Sequence, residues 1–123
     1  MQLTVLGSGT AVPVPDRFPA GYLVEHAEHR LMVDCGPGTL RRLAQTSATP
    51  ATLDAVLLTH YHTDHCADLA ALLISLRSPH LNPRPPLTVY GAPGLTEGGL
   101  GGAGWLGCPP PAVRQASGVG ETI

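Results

Sequence analysis

Apolar residues recur along this chain with two periods, and the switches between them outline its elements. Leu3 to Leu6 is short, apolar and β-prone, and it ends in Gly7-Ser8-Gly9-Thr10. Ala11 to Pro19 holds Pro13, Pro15 and Pro19, which fix φ and remove backbone donors, so a loop is predicted. Ala20 to Glu25 and Arg30 to Asp34 read as two strands, joined as a hairpin by the polar connection His26-Ala27-Glu28-His29. Cys35-Gly36-Pro37-Gly38 forces a turn. Thr39 is then placed to cap a short helix with Leu40, Leu43 and Ala44 at i, i+3 and i+4, while Arg41 and Arg42 point away. Leu53 to Thr59 is a mostly apolar strand, the pattern of a strand covered on both faces.

The period then lengthens. Leu69, Leu72, Leu73 and Leu76 form the stripe of a helix that should start near Thr63 or Asp64, run to about Arg77 and pack on the sheet. Ser78-Pro79 ends it, prolines 83, 85 and 86 stiffen the following loop, and Leu87 to Tyr90 is a further short strand. From Gly91 the composition changes: ten of the fifteen glycines fall in the last 33 residues. Pro93-Gly94-Leu95-Thr96-Glu97 looks like a helix start, but Gly98-Gly99 and Gly101-Gly102 break it. Beyond that point neither period is present, and 98–123 is expected to be an irregular tail following a unit over 1–97.

Composition narrows the class. Apolar residues make up 43% of 123 positions, enough for one modest domain with a core of its own. No apolar run reaches the ~18 residues of a membrane span, and the start lacks the basic region of a signal peptide. A cytoplasmic protein without a membrane partner is the expectation. Net charge is −2, carried by seven arginines and no lysine, and no basic block argues for nucleic-acid binding. Single arginines such as Arg17 could still meet phosphates locally. Cys35, Cys66 and Cys108 form an odd set without paired spacing, which does not suggest a disulfide framework. Cys66, beside His65, reads either as a soft metal ligand or as a small buried hydrophobe. His26 and His29 read as exposed turn residues.

The chemistry concentrates in His60-Tyr61-His62-Thr63-Asp64-His65. A chance match to H-x-H-x-D-H at this chain's own His and Asp frequencies is roughly one in a thousand, so the pattern is signal. Imidazole nitrogen and carboxylate oxygen are ligands zinc takes in sites that stay open for catalysis. In an extended segment His60 and His62 project to one side and can share a metal. Asp64 and His65, where the chain turns into the helix, can reach a second. Two metals ~3.5–4 Å apart can activate a water and hold attacking and leaving oxygens. The start of the following helix would add a positive dipole end.

Leu58-Thr59-His60-Tyr61-His62-Thr63-Asp64-His65 resembles the signature of the metallo-β-lactamase superfamily. Leu6-Gly7-Ser8-Gly9-Thr10-Ala11-Val12-Pro13, Gly21-Tyr22-Leu23-Val24, Val33-Asp34-Cys35-Gly36-Pro37-Gly38 and Tyr90-Gly91-Ala92-Pro93 are similar to the amino-terminal half of its ribonuclease Z-like members. The resemblance runs from Met1 to about Glu97. It implies an α/β fold, half of an αββα sandwich, with a mixed sheet and two packed helices. It implies that His60 and His62 bind a first zinc, that Asp64 and His65 bind a second, and that Asp64 is the proton acceptor for the attacking water. Asp34 matches a buried aspartate that steadies the histidine loop from behind; from residue type alone it also reads as a turn-capping Asp. Ser8 and Thr10 would border the site.

The family's second half brings a further His for each zinc and a bridging Asp. After His65 this sequence has only His80, in a proline-flanked loop, and no Asp after Asp68. Two protein ligands leave each zinc underheld. A frame disruption or truncation near Gly98 is the expectation that accounts for this. Two function classes follow. One is a zinc-dependent hydrolase, a phosphodiesterase or endoribonuclease acting on RNA 3′ ends, with lactonase, thioesterase and arylsulfatase as alternatives on the same fold. The other is a non-catalytic remnant with weak metal binding. A homodimer is possible in principle.

Overall fold

A computed structural model of the protein describes residues 1–81, 86–93, 95 and 113–116. Among the described residues six strands join in one sheet whose spatial order follows the chain: β1 (Gln2–Gly7), β2 (Gly21–His26), β3 (His29–Val33), β4 (Ala55–Leu57), β5 (Leu87–Tyr90) and β6 (Val113–Ala116). β1, β2 and β3 pair antiparallel, and β3 through β6 pair parallel. The sheet is therefore mixed, as the sequence predicts. The β2–β3 hairpin forms with His26 opposite His29, and Ala27 takes a φ of 50° in its two-residue turn. Parallel pairing needs crossovers, which is where the helices lie: α1 (Thr39–Leu43) between β3 and β4, then α2 (Thr63–Cys66) and α3 (Asp68–Ser75) between β4 and β5.

Cross-strand register separates the sheet into two faces. Leu23, Met32, Val56 and Val89 are aligned neighbours on one face and are completely buried. With them in one cluster lie Leu43 from α1, Leu69, Leu72 and Leu73 from α3, and Leu76 just beyond it. On the other face two aligned rows run across five strands. One is Leu3, Val24, Leu31, Ala55, Thr88, and the other is Val5, Tyr22, Val33, Leu57, Tyr90. None of these ten is buried; Leu3 is 61% exposed and Val5 50%.

Four sequence expectations change. Thr39 does not cap α1; Gly38, at φ 86°, holds the cap position, and Thr39 is the first helical residue, its hydroxyl donating to the Gly36 carbonyl at 2.7 Å. The Asp68 carboxylate instead caps α1 from outside, accepting from the Leu40 amide at 3.1 Å. The strand expected over Leu53 to Thr59 is only Ala55–Leu57, with Leu53 closing a 3-10 turn over Pro50–Thr52. Its two-sided cover is absent among the described residues, since Ala55 and Leu57 are half-buried.

The single helix from Thr63 is two. Cys35 interrupts the ladder at Ala67: its amide donates to the His65 carbonyl at 2.6 Å and its carbonyl accepts from the Asp68 amide at 2.9 Å. Backbone groups so engaged cannot continue the i to i−4 pattern, and the dipole expected at Thr63 is confined to one turn. Finally, Val113–Ala116 lies within the segment expected to be irregular, yet it pairs parallel with β5. Val-Arg-Gln-Ala carries no alternation for a sequence reading to find, because at an edge the backbone ladder suffices. Of the helix start expected at Pro93–Glu97 only Pro93 and Leu95 are described, and most of the tail lies outside the described residues.

Candidate metal centre

The predicted site residues sit where β3 and β4 end, on the loop that leads into α2. Asp34 follows β3 directly and takes a left-handed φ of 56°, a conformation that Asp tolerates better than most residues. That turn sends its side chain inward, where it is 3% exposed. Its Oδ1 accepts from the Thr59 amide at 2.8 Å and its Oδ2 from His65 Nδ1 at 2.7 Å. The Thr59 hydroxyl lies 2.9 Å from both carboxylate oxygens and 3.0 Å from His60 Nδ1. Asp34 is thus an internal acceptor for the histidine loop and not a turn cap.

The four expected ligands come together. The His60 ring lies 4.0 Å from the His65 ring and 4.8 Å from that of His62, centroid to centroid. His65 Nε2 faces Asp64 Oδ2 at 3.5 Å. Nδ1 of His65 donates to Asp34, which leaves Nε2 as the nitrogen turned toward Asp64. Soft or anionic alternatives do not enter: the Cys66 thiol donates to the Tyr61 carbonyl at 3.4 Å, and burial, with the Asp34 and Asp64 charges, pushes its pKa up. Imidazole nitrogen and carboxylate oxygen are donor types that fit zinc. Among the described residues, no group of three His, Cys, Asp or Glu is arranged to hold one ion.

Packing fixes the loop from two sides. A Cβ on Gly36 would fall 2.1 Å from the Asp64 carbonyl oxygen, so only glycine lets the β3–α1 turn approach this closely. Opposite, the Tyr61 hydroxyl donates to the Ala92 carbonyl, and a Cβ on Gly91 would meet that hydroxyl at 2.8 Å. Asp64 also opens onto a pocket of about 450 Å³ lined by the proline-rich β1–β2 loop, including Thr10, Arg17 and Phe18. Thr10 borders the site as expected; Ser8 does not line this pocket. His26 and His29 are exposed on the distant hairpin, His29 beside Asp54 at 3.5 Å. The contacts of Thr59, Tyr61 and Gly36 at the site were not expected from the sequence. Their partners lie 25 to 31 residues away, so only the position of Thr59 directly before the first histidine offered a signal.

Residues 1–92 match the family model described as anti-Pycsar protein Apyc1. Over 98 residues the chain is 41% identical to ribonuclease Z of Mycobacterium bovis, covering 79% of this chain and 35% of that protein. It is 42% identical to ribonuclease Z of Mycobacterium marinum over the same shares. Among solved structures, the metallo-β-lactamase-fold protein YhfI of Bacillus subtilis is 34% identical with a TM-score of 0.64, over 72% of this chain and 35% of its own. The short form of human tRNase Z is 33% identical with a TM-score of 0.65, over 77% and 36%. The chain spans about a third of the length of the curated relatives it matches.

Proposed function

The chain belongs to the family described as anti-Pycsar protein Apyc1 and, with its ribonuclease Z relatives, to the metallo-β-lactamase superfamily, and from that premise we propose that residues 1–97 carry the metal-binding loop of a zinc-dependent hydrolase. Its substrate is a phosphodiester, with RNA the favoured one because the relatives of highest identity are named as ribonucleases. The observation that supports this reading is the convergence of His60, His62, Asp64 and His65 in front of one buried carboxylate.

His60 and His62 would hold one zinc, and Asp64 and His65 a second. Bound there, zinc would supply Lewis acidity toward water and ester oxygen. The Asp64 carboxylate, open to the neighbouring pocket, takes the proton released by the attacking water at Oδ1 or Oδ2. Asp34 holds the His65 ring in place. Phe18 lines one side of that pocket, and Arg17 would supply a cation for a phosphate.

The test is zinc content of the purified full chain together with hydrolysis of bis(p-nitrophenyl) phosphate. Chelator-sensitive turnover that is lost on replacing His60 and His62 by Ala is the expected result. Absence of both zinc uptake and turnover would overturn the proposal. A second reading, weak metal binding without catalysis, is favoured by the lack of a three-donor group among the described residues. Zinc uptake without turnover would select it.

A further inference from the structure

We infer that Thr59 is a positioning residue that fixes the tautomer of His60, so that the one buried carboxylate of Asp34 orients an imidazole of each expected zinc pair. A threonine hydroxyl has one proton and two lone pairs, and an ionised carboxylate only accepts. Thr59 Oγ1 lies 2.9 Å from both oxygens of Asp34, so its proton must point there. A lone pair then faces His60 Nδ1 at 3.0 Å, which makes Nδ1 the protonated nitrogen and, in the neutral ring, leaves Nε2 bare. The reverse arrangement would turn hydroxyl lone pairs toward a buried carboxylate.

His65 reaches the same state by a different route. Its Nδ1 donates to Asp34 Oδ2 directly at 2.7 Å. Asp34 therefore acts on His65 in one step and on His60 through Thr59. Among the described residues no hydrogen bond fixes the ring of His62. A free neutral imidazole is not held to one tautomer, and a ring with hydrogen on Nε2 must reorganise before that nitrogen can bind a metal. The relay removes that step for His60. The effect on zinc affinity rests on the ligand reading proposed above, whereas the tautomer does not.

The experiment is nitrogen-15 NMR of the histidine rings in metal-free full-length protein, at a pH about two units above the free imidazole value of ~6.5. In the natural protein, His60 and His65 should both carry hydrogen on Nδ1. In Thr59→Val, His60 should move toward the Nε2-protonated form while His65 keeps its pattern, which shows that the fold is intact. Thr59→Ser should restore His60, and Asp34→Asn should disturb both rings. Competition with a chromophoric chelator should give about tenfold weaker zinc binding for Thr59→Val and recovery in Thr59→Ser. An Nε2-protonated His60 in the natural protein, or a His60 signal unmoved by Thr59→Val, overturns the inference. So does a joint shift of His60 and His65 that Thr59→Ser fails to reverse. Correct tautomers in a protein that takes up no zinc would count against the proposed function and leave the relay standing.

Discussion

Both faces of the sheet carry mostly apolar residues, yet among the described residues only one of them is covered. Leu23, Met32, Val56 and Val89 lie under the helices and are fully buried, while Val24, Leu31, Val33 and Leu57, one position away along the same strands, are half-exposed. A strand with one solvated face normally alternates apolar with polar. β2, β3 and β4 do so only weakly. Sequence and environment therefore agree on the helix side and disagree on the other. The lesson is that apolar composition reports what a strand can pack against, and burial reports what it does pack against.

The strongest way to break this comparison is a matched pair of truncations. Leu72→Ala, from the fully buried cluster, should cost about 2–5 kcal/mol by urea denaturation. Leu31→Ala, on the open face, should cost under ~1.5 kcal/mol because less surface and less of a cavity are at stake. Equal losses would mean that the open face is covered in solution.

A smaller effect sharpens the covered side. Burial first, then the neighbouring negative charges, push the Cys35 thiol from 9.0 up to about 12. A raised acid pKa means that the folded state keeps a proton the unfolded chain has released. The contribution is therefore whole below pH 9 and is lost as pH climbs toward 12. By pH 10.5 about 2 kcal/mol should be gone, and Cys35→Ala should flatten that part of the pH profile of unfolding. A flat profile in the natural chain would refute it. The smallest effect belongs to the open edge: Leu3→Thr with Val5→Thr should leave stability within about 0.5 kcal/mol. A larger drop in the unfolding midpoint would show that β1 buries more than its register implies.

These differences also mark what was legible in the sequence. The stripe of Leu69, Leu72, Leu73 and Leu76 and the β2–β3 hairpin depend on near neighbours, and both were readable. The histidine-rich motif was readable for the same reason, since His60, His62, Asp64 and His65 lie within six residues. Asp34 and Thr59, 25 residues apart, leave no periodic trace of their bond. The break at Ala67 was equally hidden, because main-chain groups of Cys35 cause it and residue type does not enter. β6 was missed because its pairing, too, is carried by the backbone.

Those two Cys35 bonds carry a dynamic consequence. They tie the amide of Cys35 to the His65 carbonyl and the amide of Asp68 to the Cys35 carbonyl, across a gap of about thirty residues. Both contacts run through Cys35, so lifting the end of β3 releases both protons together. Cys35 and Asp68 should therefore exchange with deuterium as a single cooperative unit, and the histidine loop should open only on the timescale on which the end of β3 lifts away. What looks in sequence like a local metal motif is, kinetically, a property of two distant segments moving together.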